Sequence, residues 1–158
     1  MRRITLILFC LVYYMANAET EVFTYHKNSE TIICYYDENR KHKAVEIYPD
    51  MQEHGIGLEV NLLYSSENGL LIEFFDGESL WVNLGDVGIN NRNLDGTFLL
   101  YSSPNMKSET IQIINTWELR VYGISEDWLY VKASVDGKDV FGWMAPIDQC
   151  PSQRTTCP

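Results

Sequence analysis

Basic residues are scarce in this chain: 12 Lys and Arg stand against 22 Asp and Glu, a formal net charge of −10. That deficit argues against nucleic acid and anionic lipid as partners, because both bind through positive patches. Histidine is scarcer still, with only His26, His42 and His54. No zinc-type Cys/His spacing, P-loop or nucleophile elbow occurs, so no metal, cofactor or catalytic constellation is expected. Beyond residue 18 no apolar stretch approaches the roughly 20 residues of a spanning helix, so no stable membrane insertion is expected. Helical periodicity is missing too, over any segment of about 10 residues or more. What is present is apolar and aromatic: 46% hydrophobic residues, with 10 Tyr, 6 Phe and 4 Trp. That content excludes wholesale disorder and suffices for the core of one or two small domains.

The first 18 residues read as a signal peptide. Arg2 and Arg3 form a basic start, Ile4 to Met15 is an almost unbroken apolar run, and Ala16-Asn17-Ala18 is a small-x-small cleavage site. The run is about 12 residues, too short to span a bilayer. Export with cleavage after Ala18 is expected, to the periplasm or the medium. It would leave three cysteines in an oxidising compartment. Cys150 and Cys157 enclose six residues beside two prolines, and a local disulfide is the simplest pairing, contributing about 2–3 kcal/mol. Cys34 lies in the strand-like run Thr31–Tyr36, where a thiol acts as a small hydrophobe. A reactive nucleophile or an intermolecular disulfide are its alternatives.

The remainder predicts an all-β protein. Strand-length apolar stretches include Thr31–Tyr36, Ala44–Tyr48, Leu58–Tyr64, Leu70–Phe75, Leu80–Leu84, Thr97–Tyr101, Thr110–Ile114, Glu118–Tyr122, Trp128–Ala133 and Val140–Met144. Turn signals separate them, among them Asp76-Gly77, Asp95-Gly96 and Asp136-Gly137. Asp-Gly between strands predicts a type I′ hairpin, whose centre needs positive φ. A repeat runs through the pattern. Tyr64 matches Tyr122, Glu67 matches Glu126, and Asp76-Gly77 matches Asp136-Gly137, at a period of about 60 residues. Val45–Pro49 also echoes Leu99–Pro104. The turn-rich stretch Gly85–Gly96 reads as the boundary and hinge between two units.

The second half carries Leu100-Tyr101-Ser-Ser-Pro104, Trp117-Glu-Leu-Arg-Val121, Trp128-Leu-Tyr-Val131 and Gly142-Trp143-Met144. These motifs resemble a bacterial SH3-like (SH3b) domain, over roughly residues 96–149. With its cysteine-closed tail the chain is similar to secreted tandem proteins of that family in Bacteroides-like bacteria. The resemblance implies two tandem small SH3-like β-barrels after a cleaved signal peptide: residues 1–18 the signal, 19–92 a degenerate barrel, and 93–158 a second barrel with the disulfide-closed tail. In the first copy Gly69 stands where Trp128 stands in the second, and Trp81 serves for Trp143 with a slip.

Trp128 and Trp143 are expected to fill the second core. Tyr101 and Trp117 could line an exposed groove, where an amphipathic ring meets a peptide or sugar; Tyr122 and Trp128 complete the candidate ligand-binding set. His42, in Arg40-Lys-His-Lys43, and Asp37-Glu38-Asn39 read as solvated turns ahead of catalytic or calcium sites. The resemblance implies an exported, non-enzymatic binding module for cell-wall peptide, peptidoglycan or an envelope protein. The alternative is an inhibitor or immunity-type protein whose acidic surface binds a basic enzyme or toxin.

Overall fold

The computed structural model describes residues 19–26, 30–49, 57–93, 95–116, 118–152 and 157. The segment read as a signal peptide, His54 and Trp117 lie outside them. Among the described residues the chain is all-β, joined by turns and one 3₁₀ turn at Pro146–Asp148. The strands of the first half are β1 (Thr20–Thr24), β2 (Ile32–Tyr35), β3 (Lys43–Ile47), β4 (Glu59–Ser65), β5 (Leu70–Glu73) and β6 (Ser79–Val82). Those of the second are β7 (Val87–Asn91), β8 (Phe98–Tyr101), β9 (Thr110–Ile113), β10 (Glu118–Ser125), β11 (Trp128–Val135), β12 (Lys138–Met144) and β13 (Gln149–Cys150).

All pairings are antiparallel and follow one path, β3-β2-β6-β5-β4-β1-β7-β10-β11-β12-β8-β9, with β13 added to β7. The path is its own mirror in sequence order. Reading outward from the centre, β1-β4-β5-β6-β2-β3 corresponds strand for strand to β7-β10-β11-β12-β8-β9. Registers match as well. A bulge interrupts β4 between Leu62 and Tyr64, and the same irregularity interrupts β10 between Val121 and Gly123. Leu63 therefore corresponds to Tyr122, and Tyr64 to Gly123. Trp81 lies opposite Leu71 as Trp143 lies opposite Tyr130. Tyr35 lies opposite Trp81 as Tyr101 lies opposite Trp143.

These pairings correct three details of the sequence pattern. Tyr64 and Tyr122 are one position out of step, because the bulge residue differs in side chain although not in place. The echo of Val45–Pro49 with Leu99–Pro104 is coincidental, since β2, one strand earlier, is the counterpart of β8. The two Asp-Gly turns also differ. Asp136 (φ 51) and Gly137 (φ 76) are both left-handed, as type I′ requires, whereas in the other hairpin only Gly77 (φ 85) is. There Gly77 N–H donates to the Phe74 carbonyl and Phe74 N–H to that of Glu78, both at 2.9 Å. That is the longer turn closed by a left-handed glycine.

Period-two alternation decides what is buried. In β11, Leu129, Val131 and Ala133 point inward, while Trp128, Tyr130 and Lys132 point out. Corresponding positions fill one apolar core: Val22 with Ile89, Val60 with Leu119, Leu62 with Val121, Leu70 with Leu129, Ile72 with Val131. Full burial of each such side chain contributes about 1.5–3 kcal/mol.

The stretch read as a hinge holds β7, whose Val87 and Ile89 are fully buried. It pairs with β1 and β10 and takes β13 as well. The expected boundary at residue 92/93 falls just beyond this central strand. Strand β1 had no sequence signal stronger than its short Thr-Glu-Val-Phe-Thr alternation. The expected disulfide is present, with Cys150 and Cys157 Cα atoms 5.6 Å apart.

Where β1 and β7 cross, Gly88 faces Phe23. A Cβ on Gly88 would stand 2.6 Å from a ring carbon of Phe23 and 3.1 Å from the Leu119 carbonyl oxygen. Phe23 is fully buried and has no room to retreat. Gly88→Ala is therefore expected to cost about 1–3 kcal/mol in urea unfolding, a cost that sets in without any change at the outer surfaces. An unchanged midpoint would refute the close contact.

Candidate functional site

The outer face of the second half is aromatic. Tyr130 on β11 is opposite Trp143 on β12, which is opposite Tyr101 on β8, so three rings stand in a row across neighbouring strands. Trp128 and Phe141 flank the row on the same face, one on each side. Tyr122 is the bulged residue of β10, and the bulge turns its ring toward Phe141.

The rings are in contact. Tyr101 meets Trp128 edge-on at 5.2 Å, and Tyr122 meets Phe141 at 5.3 Å. Tyr130 stacks on Phe141 at 6.0 Å and tilts against Trp143 at 5.2 Å. Each such pair contributes about 0.5–1.5 kcal/mol beyond area burial. Lys132 lies at one end, its ammonium 2.6 Å from Asp139 and 5.9 Å from the Phe141 ring centre. Tyr101 is the foundation of the patch at 5% exposed, while Phe141 is its most open member at 43%. Between Tyr101, Phe141, Ile111 and Glu109 lies a cleft of about 180 Å³.

The structure thus brings together Tyr101, Tyr122 and Trp128 from the candidate ligand-binding set; Trp117 lies outside the described residues. It moves Trp128 and Trp143 from the expected core to the outer face, half-buried. The inward positions beside them belong to Leu129 and Met144, both fully buried. Tyr130 and Phe141 escaped the sequence reading, although the alternation Trp128-Leu-Tyr130-Val-Lys132 carried the signal. If Leu129 and Val131 are inside, Trp128 and Tyr130 must be outside. In the first half the counterparts of Tyr122, Tyr130 and Phe141 are Leu63, Leu71 and Ser79, and only Tyr35 and Trp81 keep aromatic rings.

Cys34 is a packing residue by position. It precedes Tyr35 as Leu100 precedes Tyr101, and both residues are buried. Leu100 sits against Gly142, where a Cβ would come within 2.9 Å of it. In the first half the glycine is replaced by Leu80 and the leucine by Cys34, so bulk has moved from one strand to its neighbour. Burial, with the charges of Asp86 and Glu78 adding to it, pushes the Cys34 thiol up to about 12. A thiolate nucleophile is disfavoured there.

His42 and Asp37 form a turn at the surface. The His42 ring nitrogen lies 2.9 Å from Asp37, whose carboxylate also accepts the backbone N–H groups of Lys41 and His42. Desolvation works against the Asp37 charge, but these donors outweigh it and hold the carboxyl below its ordinary range. Among the described residues no group of three or more His, Cys, Asp or Glu is placed to hold a metal ion.

No family model and no curated protein matches the chain. Two solved structures from Trichomonas vaginalis share some of its shape. NlpC2 has a TM-score of 0.37 at 10% identity, over 85% of this chain and 48% of that one. NlpC1 has a TM-score of 0.37 at 9% identity, over 85% of this chain and 46% of that one. The chain spans about half the length of these two structures, and a likeness of this size establishes neither fold nor activity.

Two outcomes are expected for Cys34. Iodoacetamide at pH 8 should leave it unmodified in the folded protein and label it fully in denaturant; rapid native labelling would contradict the burial. Its folded pKa of about 12 lies above the ordinary 9.0, so its contribution to stability is complete below pH 9 and is lost as pH rises toward 12. The stability advantage of wild type over Cys34→Ala should shrink across that window in urea unfolding.

Proposed function

We propose that this chain is an exported, non-enzymatic binding protein built from two SH3-like units, the second of which recognises cell-wall peptide or peptidoglycan. The observation that carries the reading is the set of part-exposed rings, Tyr122, Trp128, Tyr130, Phe141 and Trp143, on the outer face of β10–β12, with the buried Tyr101 of β8 packed against Trp128. Aromatic rings already packed together lose little freedom when a ligand covers them, which favours binding through a preformed surface. The mirrored strand order supports two units of one design, with their boundary in the Asn83–Asp86 turn. The signal-like first 18 residues and the Cys150–Cys157 disulfide support export to an oxidising compartment. The buried, high-pKa Cys34 argues against a Cys34 nucleophile.

The test is co-sedimentation with purified peptidoglycan at low and moderate salt. Wild type should bind saturably, and Tyr122→Ala/Phe141→Ala should bind about tenfold more weakly, the loss of one hot-spot contact. Trp81→Ala, on the first unit, should bind as wild type. Circular dichroism would verify that each variant folds. Absence of saturable binding by wild type would reject the wall ligand and direct attention to a protein partner in the envelope.

A further inference from the structure

The first half carries a second surface of different chemistry. A cleft of about 310 Å³ is bounded by Glu21, Glu59 and Glu73 together with Phe74, Phe75 and Pro151. A second cleft of about 450 Å³ shares Glu21 and Pro151 and continues past Glu19, Asp127 and Arg92. The two therefore form one groove. The register accounts for its acidic floor: Glu21 is opposite Asn61, and Asn61 is opposite Glu73, so β1, β4 and β5 present one row of side chains. Among the described residues none of Glu21, Glu59 or Glu73 forms an ion pair.

One wall of the groove is an aromatic side chain that no described residue covers. Phe75 is 105% exposed, yet it sits in an ordered turn, closed by the two backbone bonds between Phe74, Gly77 and Glu78 and by Glu78 N–H donating to Asp76 at 3.1 Å. A fully solvated phenylalanine held in a tight turn is unfavourable in the free protein. It is the kind of residue that anchors an interface. Pro151, which also lines the cleft, follows Cys150 directly, and the disulfide to Cys157 ties down that part of the chain.

The internal repeat supplies an independent comparison. At the matching positions of the second half, Glu21 becomes Gly88 and Glu73 becomes Lys132, itself paired with Asp139, while Glu59 is matched by Glu118. The matching hairpin tip is Asp136-Gly137, with no aromatic. The same strand order forms without counterparts of Glu21, Glu73 and Phe75, so folding does not require these three.

We propose that this groove is a docking site for an extended basic peptide segment bearing an apolar side chain. The apolar side chain packs against Phe74 and Phe75, and flanking Lys or Arg residues pair with Glu21, Glu59 and Glu73. Charge complementarity selects this occupant: the groove holds five carboxylates against one arginine, within a chain of net charge −10. The long-range field draws a cationic segment in, and the phenylalanines give it register. The site is separate from the aromatic face of the second half and stands whether or not that face binds the wall.

The experiment is a fluorescence-anisotropy titration of the full-length protein into a labelled peptide of alternating lysine and leucine. Saturable binding that weakens with salt is expected. Phe75→Ala should weaken it about tenfold, as should Glu21→Gln/Glu59→Gln/Glu73→Gln, the latter also flattening the salt dependence. A peptide with serine in place of leucine should fail to bind, and Tyr122→Ala/Phe141→Ala should bind as wild type. Because Phe75 is wholly exposed, its removal leaves folding intact. Wild-type affinity in Phe75→Ala, equal binding of the serine peptide, or no saturable binding would each overturn the proposal.

Discussion

The antiparallel pairing of β1 with β7 is the constraint on which the rest of the structure depends. It joins two halves that otherwise follow identical strand orders, and it requires that Gly88 carry no side chain beneath Phe23. The neighbouring contacts are dense. Tyr25 N–H donates to the Asp86 carbonyl at 2.7 Å, and the Arg120 guanidinium lies 4.7 Å over the Tyr25 ring. The Ser65 hydroxyl accepts the Ile124 N–H at 3.0 Å and donates to the Ile124 carbonyl, linking β4 to β10. Asp86 is buried enough at this junction for desolvation to push its carboxyl up, even with Asn83 donating to it at 2.8 Å. A junction of this kind holds the two halves in one sheet and places their outer faces side by side.

The matched strand order leaves those faces free to differ. Inward positions answer to packing, and they have kept their apolar volume even where individual residues exchanged size, as Cys34 and Leu80 did for Leu100 and Gly142. Outward positions carry no such requirement. In the second half they carry Tyr122, Tyr130, Phe141 and Trp143; in the first they hold Tyr64 and Trp81 beside Glu21, Glu73 and the exposed Phe75. One strand order thus supports an aromatic surface and an acidic groove, and neither contributes to the apolar core that holds the fold together.

Much of this was legible in the residues. Short alternating runs and Asp-Gly turns predict the all-β class because alternation has one meaning on a pleated strand. The pairing of Cys150 with Cys157 is legible because a short loop brings the two thiols together whatever the rest of the chain does. The matched strands are not evenly spaced: three more residues separate Lys132 from Phe141 than separate Glu73 from Ser79. Strand β7 was not legible: Val-Gly-Ile-Asn-Asn, set among turn residues, has the composition of a loop, and only its three strand partners make it central.

The sequence by itself determined the all-β class, the turn positions and the local disulfide, since each follows from interactions between residues close in the chain. The tertiary structure alone decided which rings face solvent. A strand has two faces that are chemically equivalent until something packs on one of them, so Trp128 and Trp143 read equally well as core or surface. The sheet settles it by burying Leu129 and Met144 beneath them. It likewise brings Glu21, Glu59 and Glu73 into one groove, an alignment of register across three strands that no spacing along the chain specifies.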